Sequence, residues 1–138
     1  MILVDAGPLK ALIDATDSSA ARCTAVLQSL RDPMMTTEPA LTEACYLLQR
    51  DAGALAAQPV LRLVCDGRLL VASLDLPMWS EAARLMAKYA DLPMDLADAS
   101  LVVVASKHSI RRVFTLDSHF RSYRVSDGSA FDILPEDV

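Results

Sequence analysis

Four glycines in 138 residues cannot supply a phosphate-cradling loop, and neither a GxGxxG nor a P-loop pattern occurs. Histidine is scarcer still. His108 and His119 are the only two, and they are not spaced as metal ligands. The three cysteines, Cys23, Cys45 and Cys65, form no CxxC pair and lie among alanines and leucines at helical spacing, where small core side chains are expected. A structural zinc site is thereby excluded. Long apolar runs are missing as well: none approaches the ~20 residues that cross a bilayer. The opening Met1-Ile2-Leu3-Val4-Asp5 has no basic segment and places an acid where an export signal would be apolar, so a cytoplasmic chain with no membrane partner is expected. Positive charge is also short, with 13 Lys and Arg against 18 Asp and Glu and a net charge of −5. That balance counts mildly against a nucleic-acid partner, although acids gathered in one site would distort it.

What is present describes a folded domain. Hydrophobic residues make up 53% and charged residues 22%, which excludes disorder. No repeat or Gly/Ser-rich linker divides residues 1–138, so one domain is expected. Ile2-Leu3-Val4 reads as a buried strand. Gly7-Pro8 opens a helix carrying Leu9, Leu12 and Ile13 on one face, and Ser18-Ser19 cap a second helix to about Leu30. Residues 34–37 and 69–72 read as strands, separated by helices from Pro39 to about Arg50 and from about Pro59 to Cys65. Helices from Pro77 to about Tyr89 and from Asp95 to about Lys107 follow, then strands at 112–115 and 131–134. Alternating strands and helices imply a three-layer α/β/α domain around a mostly parallel sheet of four or five strands. Ligands of such sheets bind beyond the carboxyl ends of the strands.

Acids stand at those positions. Asp5 and Asp117 each close an apolar strand, although a helix cap would also explain Asp5. Glu43 and Asp98 sit on apolar helix faces: Ala40, Tyr46 and Leu47 neighbour Glu43, and Met94, Leu101 and Val102 neighbour Asp98. No lysine or arginine lies within one helical turn of either. An unpaired carboxylate in such a setting costs several kcal/mol or takes up a proton. Four such acids suggest a shared cause, a cation that holds them together. Oxygen ligands without His or Cys select a hard ion, Mg²⁺ or Mn²⁺, and with it phosphoryl or phosphodiester chemistry.

The opening Ile2-Leu3-Val4-Asp5, the segment 41–48 around Glu43, the run 92–101 with Asp95 and Asp98, and 113–120 with Asp117 together resemble the PIN-domain family, and within it the VapC-type toxins of toxin–antitoxin pairs. The resemblance implies a metal-dependent endoribonuclease that hydrolyses RNA with metal-activated water, leaving a 5′-phosphate and a 3′-hydroxyl. It makes Asp5, Glu43, Asp98 and Asp117 the catalytic set, with Asp5 and Asp98 as principal ligands of Mg²⁺ or Mn²⁺. Thr115 supports them, and Asp95 either joins the site or caps its helix. Many relatives carry Thr or Ser after the first Asp, where this chain has Ala6-Gly7. Implied partners are a structured RNA (transfer or ribosomal), a cognate antitoxin protein and a second copy of the chain.

Arg111, Arg112, Arg121 and Arg124 flank the last acids in sequence and would line an RNA groove, or else form a solvated or antitoxin-binding face. His119-Phe120 would stack on a base, with Phe120 the better core residue. Trp79, Met78 and Met86 fit a core or dimer face. Two other functions stay open on the residues alone: an inactive PIN-like interaction module, and an aspartyl-nucleophile phosphatase, which lacks its DxD here.

Overall fold

A computed structural model describes residues 1–138. Five parallel strands make one sheet: β1 (Ile2–Val4), β2 (Met34–Thr37), β3 (Leu69–Ala72), β4 (Arg112–Phe114) and β5 (Asp132–Leu134), in the order β3-β2-β1-β4-β5. The chain builds outward from the central β1 to β3, crosses back to β4, and finishes at β5. The gap between β1 and β4 is therefore the switch point at which such sheets hold ligands.

Six helices cover the sheet: α1 (Ala6–Ile13), α2 (Ala20–Ser29), α3 (Glu38–Ala52), α4 (Gln58–Cys65), α5 (Leu76–Lys88) and α6 (Leu96–His108). Strand alternation sorts the two cores. Ile2, Val4 and Phe114 pack with Leu9, Cys23, Leu48 and Val60 on one face, while Leu3, Val113 and Ile133 pack with α5 and α6 on the other. Ala97 to Ala105 of α6 are all buried, so this helix is enclosed on every side and has no polar face to alternate with. Gly53 and Gly67, at φ 104° and 72°, take the left-handed turns that end α3 and α4.

Sequence patterning places every strand and helix within a residue or two of its observed span. Cys65 departs from expectation. It is exposed rather than core, because α4 is short and ends at the surface, whereas Cys23 is fully buried. Lys10 makes a tie that local patterning does not reveal. Its ammonium meets Asp14 at 3.2 Å, Asp17 at 2.9 Å and Asp51 at 3.4 Å, joining α1, the following turn and the end of α3. The lysine holds Asp17 below the usual carboxylate range, hydrogen bonds from Thr16 and then the lysine lower Asp14, and Arg50 and then the lysine bring Asp51 down to about 2.

No helix is long and apolar enough to cross a membrane.

Candidate metal centre

Each acid reaches the site by a local rule. Asp5 leaves β1 in extended conformation and caps α1, with Oδ1 accepting from the Ala6 N–H at 2.7 Å. Its Oδ2 accepts from Thr115 Oγ1 at 2.8 Å, across the β1–β4 switch point. Thr115 Oγ1 in turn accepts from the Asp117 N–H at 3.0 Å, so one hydroxyl holds the ends of both strands. Asp117 begins a short 3₁₀ helix (Ser118–Arg121) and accepts from the His119 N–H at 2.9 Å. Asp95 caps α6, with Oδ1 accepting from the Asp98 N–H at 2.8 Å. Asp98 stands one turn inside α6, and Glu43 stands on α3, whose first turn is capped by Thr37.

The caps aim the amino ends of α1 and α6 at one place, where their dipoles favour negative charge, and α3 brings Glu43 to it. Asp5, Glu43, Asp95, Asp98 and Asp117 accordingly line one cleft of about 220 Å³, with Gly7 and Leu116 on its wall. A Cβ added at Gly7 would meet Leu116 Cδ1 at 3.4 Å, an ordinary van der Waals contact.

The electrostatics are those of charges without a counterion. Burial first, and then the Asp117 and Asp95 charges, push Asp5 up to about 6 despite its two hydrogen bonds. Asp98 is raised to about 8 by burial and by Asp5, Asp95 and Asp117. Glu43 is half-buried, makes no hydrogen bond, and is raised by burial and the same acids. No basic side chain pairs with Asp5, Glu43 or Asp98, and Asp117 has only His119, at 3.4 Å. The donor set fits a hard dication, whose charge would offset the repulsion. No three of the carboxylates form a closed cage by themselves. An ion held there would have to keep most of its coordination shell as water, as Mg²⁺ does. The cleft has space for the ion with its waters, each needing about 30 Å³.

All four acids expected to share a site do so, with Thr115 beside them. Asp95 turns out to be a cap whose charge still reaches the cluster. The arginines divide. Arg112 opens β4 at the end of the sheet opposite the acids, where it pairs with Asp32 at 2.6 Å and Asp132 at 3.4 Å. Arg111 precedes it, facing Asp127 at 3.8 Å. Neither stands beside the acids, because β4 itself separates them from Asp117. Arg121 and Arg124 follow Asp117 and donate to the carbonyls of Glu136 and of Arg121 and Tyr123.

Phe120 is fully buried, with His119 half-exposed beside it. Tyr46 and Trp79 are exposed, at 62% and 43%, and the expected stripe around Glu43 therefore opens at Tyr46 onto a groove of about 670 Å³ that Glu43 and Asp95 also line. Met78 of the same α5 is core. Sequence reasoning missed Tyr123, whose hydroxyl reaches Asp98 from 25 residues away.

A PIN domain pattern matches residues 2–125. Ribonuclease VapC26 of Mycobacterium tuberculosis is 30% identical over 135 residues, covering 97% of this chain and all of that protein. Among solved structures, VapC20 of Mycobacterium tuberculosis, a toxin that cleaves the sarcin–ricin loop, superposes with a TM-score of 0.83 at 22% identity, over 88% of this chain and 94% of its own. FitAcB from Neisseria gonorrhoeae gives 0.60 at 21% identity, over 86% and 88% of the two chains. A toxin–antitoxin complex from Klebsiella pneumoniae gives 0.65 at 13%, over 86% and 88%. With the family pattern spanning most of the chain and the acids gathered at the β1–β4 switch point, this protein belongs to the PIN-domain family, in the branch that holds VapC26.

Proposed function

We propose that this protein is a metal-dependent endoribonuclease and the toxin of a toxin–antitoxin pair. The observation that carries the reading is the convergence of Asp5, Glu43, Asp98 and Asp117, from four separate segments, in a cleft where three of them have no cationic partner. Asp5 and Asp98 hold Mg²⁺ or Mn²⁺. Bound there, the ion supplies Lewis acidity toward the phosphoryl group and the attacking water. Glu43, free of other bonds and raised by its surroundings, takes a proton from that water. Thr115 fixes Asp5 and the Asp117 backbone, so the ligand geometry is set before substrate arrives.

Structured RNA, transfer or ribosomal, is the substrate class, and a sarcin–ricin loop oligonucleotide is the first to test, given the likeness to VapC20. Arg121 and Arg124, which follow Asp117 in the chain, are the arginines proposed to bind its backbone. An antitoxin silences the site by laying a segment with a basic side chain over the acids, competing with the ion. A toxin–antitoxin complex among the structural neighbours supports that partner. Expression of the chain alone, in the cytoplasm, should arrest growth, while Glu43→Gln should be tolerated. Equal, harmless growth of both would count against the toxin reading.

A homodimer completes the proposal. Tyr46, Leu76, Trp79 and Leu96 are large apolar residues left exposed on α3, α5 and the start of α6. Three of them line the groove beside the acids, a face that a second copy would cover. Sedimentation equilibrium should give twice the 14.9 kDa chain mass. Trp79→Glu should give the single-chain mass, and an unchanged dimer would move the interface elsewhere.

A further inference from the structure

Tyr123 is fully buried although its phenol is polar. Its ring is clamped edge-on by Tyr89, with centroids 5.1 Å apart, and by Phe120 at 5.0 Å, and Phe120 is backed by Phe131 at 5.6 Å. Three aromatic rings thus fix one hydroxyl, and that hydroxyl donates to Asp98 Oδ2 at 3.2 Å. It is the one hydrogen bond the Asp98 side chain receives. Oδ1 has no donor. Asp5 differs, since both of its oxygens accept, Oδ1 from the Ala6 N–H and Oδ2 from Thr115 Oγ1.

Resting on the metal-site reading above, we propose that Tyr123 is a positioning residue: by occupying Oδ2 of Asp98 it leaves Oδ1 as the single oxygen offered to the cation, and so biases the site toward small octahedral ions. A carboxylate held this way binds through one oxygen, which suits Mg²⁺ and Mn²⁺. Ca²⁺ takes six to eight oxygens and readily uses both oxygens of one carboxylate. Tyr123 touches neither substrate nor ion. It acts through Asp98.

Tyr123→Phe keeps the ring and its aromatic packing and removes only the hydroxyl. Isothermal titration of the intact protein with Mn²⁺ and with Ca²⁺ reads the effect without activity. Losing such a partner of a metal ligand costs about 10–100-fold in affinity. Mn²⁺ affinity should fall by about tenfold or more in Tyr123→Phe, Ca²⁺ affinity should fall less or rise, and kcat on RNA should drop with KM unchanged. In an Asp98→Asn background, Tyr123→Phe should change Mn²⁺ affinity no further. A Mn²⁺/Ca²⁺ preference within twofold of wild type would overturn the proposal, as would an equal loss in the Asp98→Asn background, which would show an effect of packing alone. Absence of Mn²⁺ binding by the wild type would overturn the metal reading, and this inference with it. Should Tyr123→Phe not fold, a crystal structure of the wild type with Mn²⁺ decides. One Asp98 oxygen on the ion, with the phenol still bonded to the other, supports the role, and both oxygens on the ion refute it.

Discussion

Asp98→Asn should reduce RNA cleavage by at least about 10²–10³-fold, the scale of losing one preorganised electrostatic contact, and should make the metal-free protein more stable. The two effects come from the same atoms. The carboxylate is buried beside Asp5, Asp95 and Asp117, and its ionised form is so disfavoured that it stays protonated up to about pH 8. Asparagine fills the same space without charge. Its oxygen still accepts from Tyr123, and the Asp95 cap is untouched because it receives a backbone N–H. Relief of about 2 kcal/mol corresponds to a rise in Tm of roughly 5 °C or more for a chain of this size. Cleavage of RNA in Mn²⁺ and calorimetry in EDTA check the two halves. Wild-type cleavage, or a lowered melting temperature, would remove Asp98 from its place in the site. Asp5→Asn should stabilise less. Both Asp5 oxygens accept a hydrogen bond, whereas asparagine has one oxygen for the two donors.

The metal-free protein should also become less stable as pH rises from about 4 to about 8, with a fall in Tm of at least about 10 °C. Asp5 and Asp98 titrate in the folded protein near 6 and 8, above the ordinary 3.8. The folded state therefore binds their protons more tightly than the unfolded chain does. This stability is complete below the ordinary carboxylate range and is lost as pH climbs through the folded values. Asp14, Asp17 and Asp51 are shifted the other way, so their contribution is lost only on acidification below about pH 4. Mn²⁺ displaces the same protons, and its stabilising effect should grow with pH. Melts between pH 5 and 8.5, in EDTA and in Mn²⁺, give both slopes. A melting temperature in EDTA that is flat or rises with pH would mean that the acids are not forced together.

The parts of the site legible in the sequence follow from short-range rules. Ile2-Leu3-Val4 ending in Asp5 needs only the strand and its terminus to be recognised, and Glu43 and Asp98 stand out against the residues three and four positions away. The illegible parts depend on which strands lie side by side. Arg111 and Arg112 are close to Asp117 in the chain but across the sheet from it, because a strand separates residues that sequence places together. Tyr123 is close to Asp98 only because the loop after Asp117 folds back over α6. Tyr46 shares the helical stripe of Glu43, yet it emerges into a groove because α5 does not cover it. Asp95 is ambiguous in the sequence for another reason: a cap and a contributor to the site's field have the same sequence signature, and in the fold Asp95 is both.

The central position of β1 also sets when this enzyme can exist. Asp5 is made among the first residues, but Thr115, which orients it, and Asp117, which completes the cleft, are made more than a hundred residues later. In the folded protein the first strand is paired on one side with β2 and on the other with β4, which comes from far along the chain. A nascent chain carries one, then two, then three of the acids and no assembled cleft, and a chain cut short before β4 never acquires one. The cleft is thus complete only when nearly all of the chain has been made.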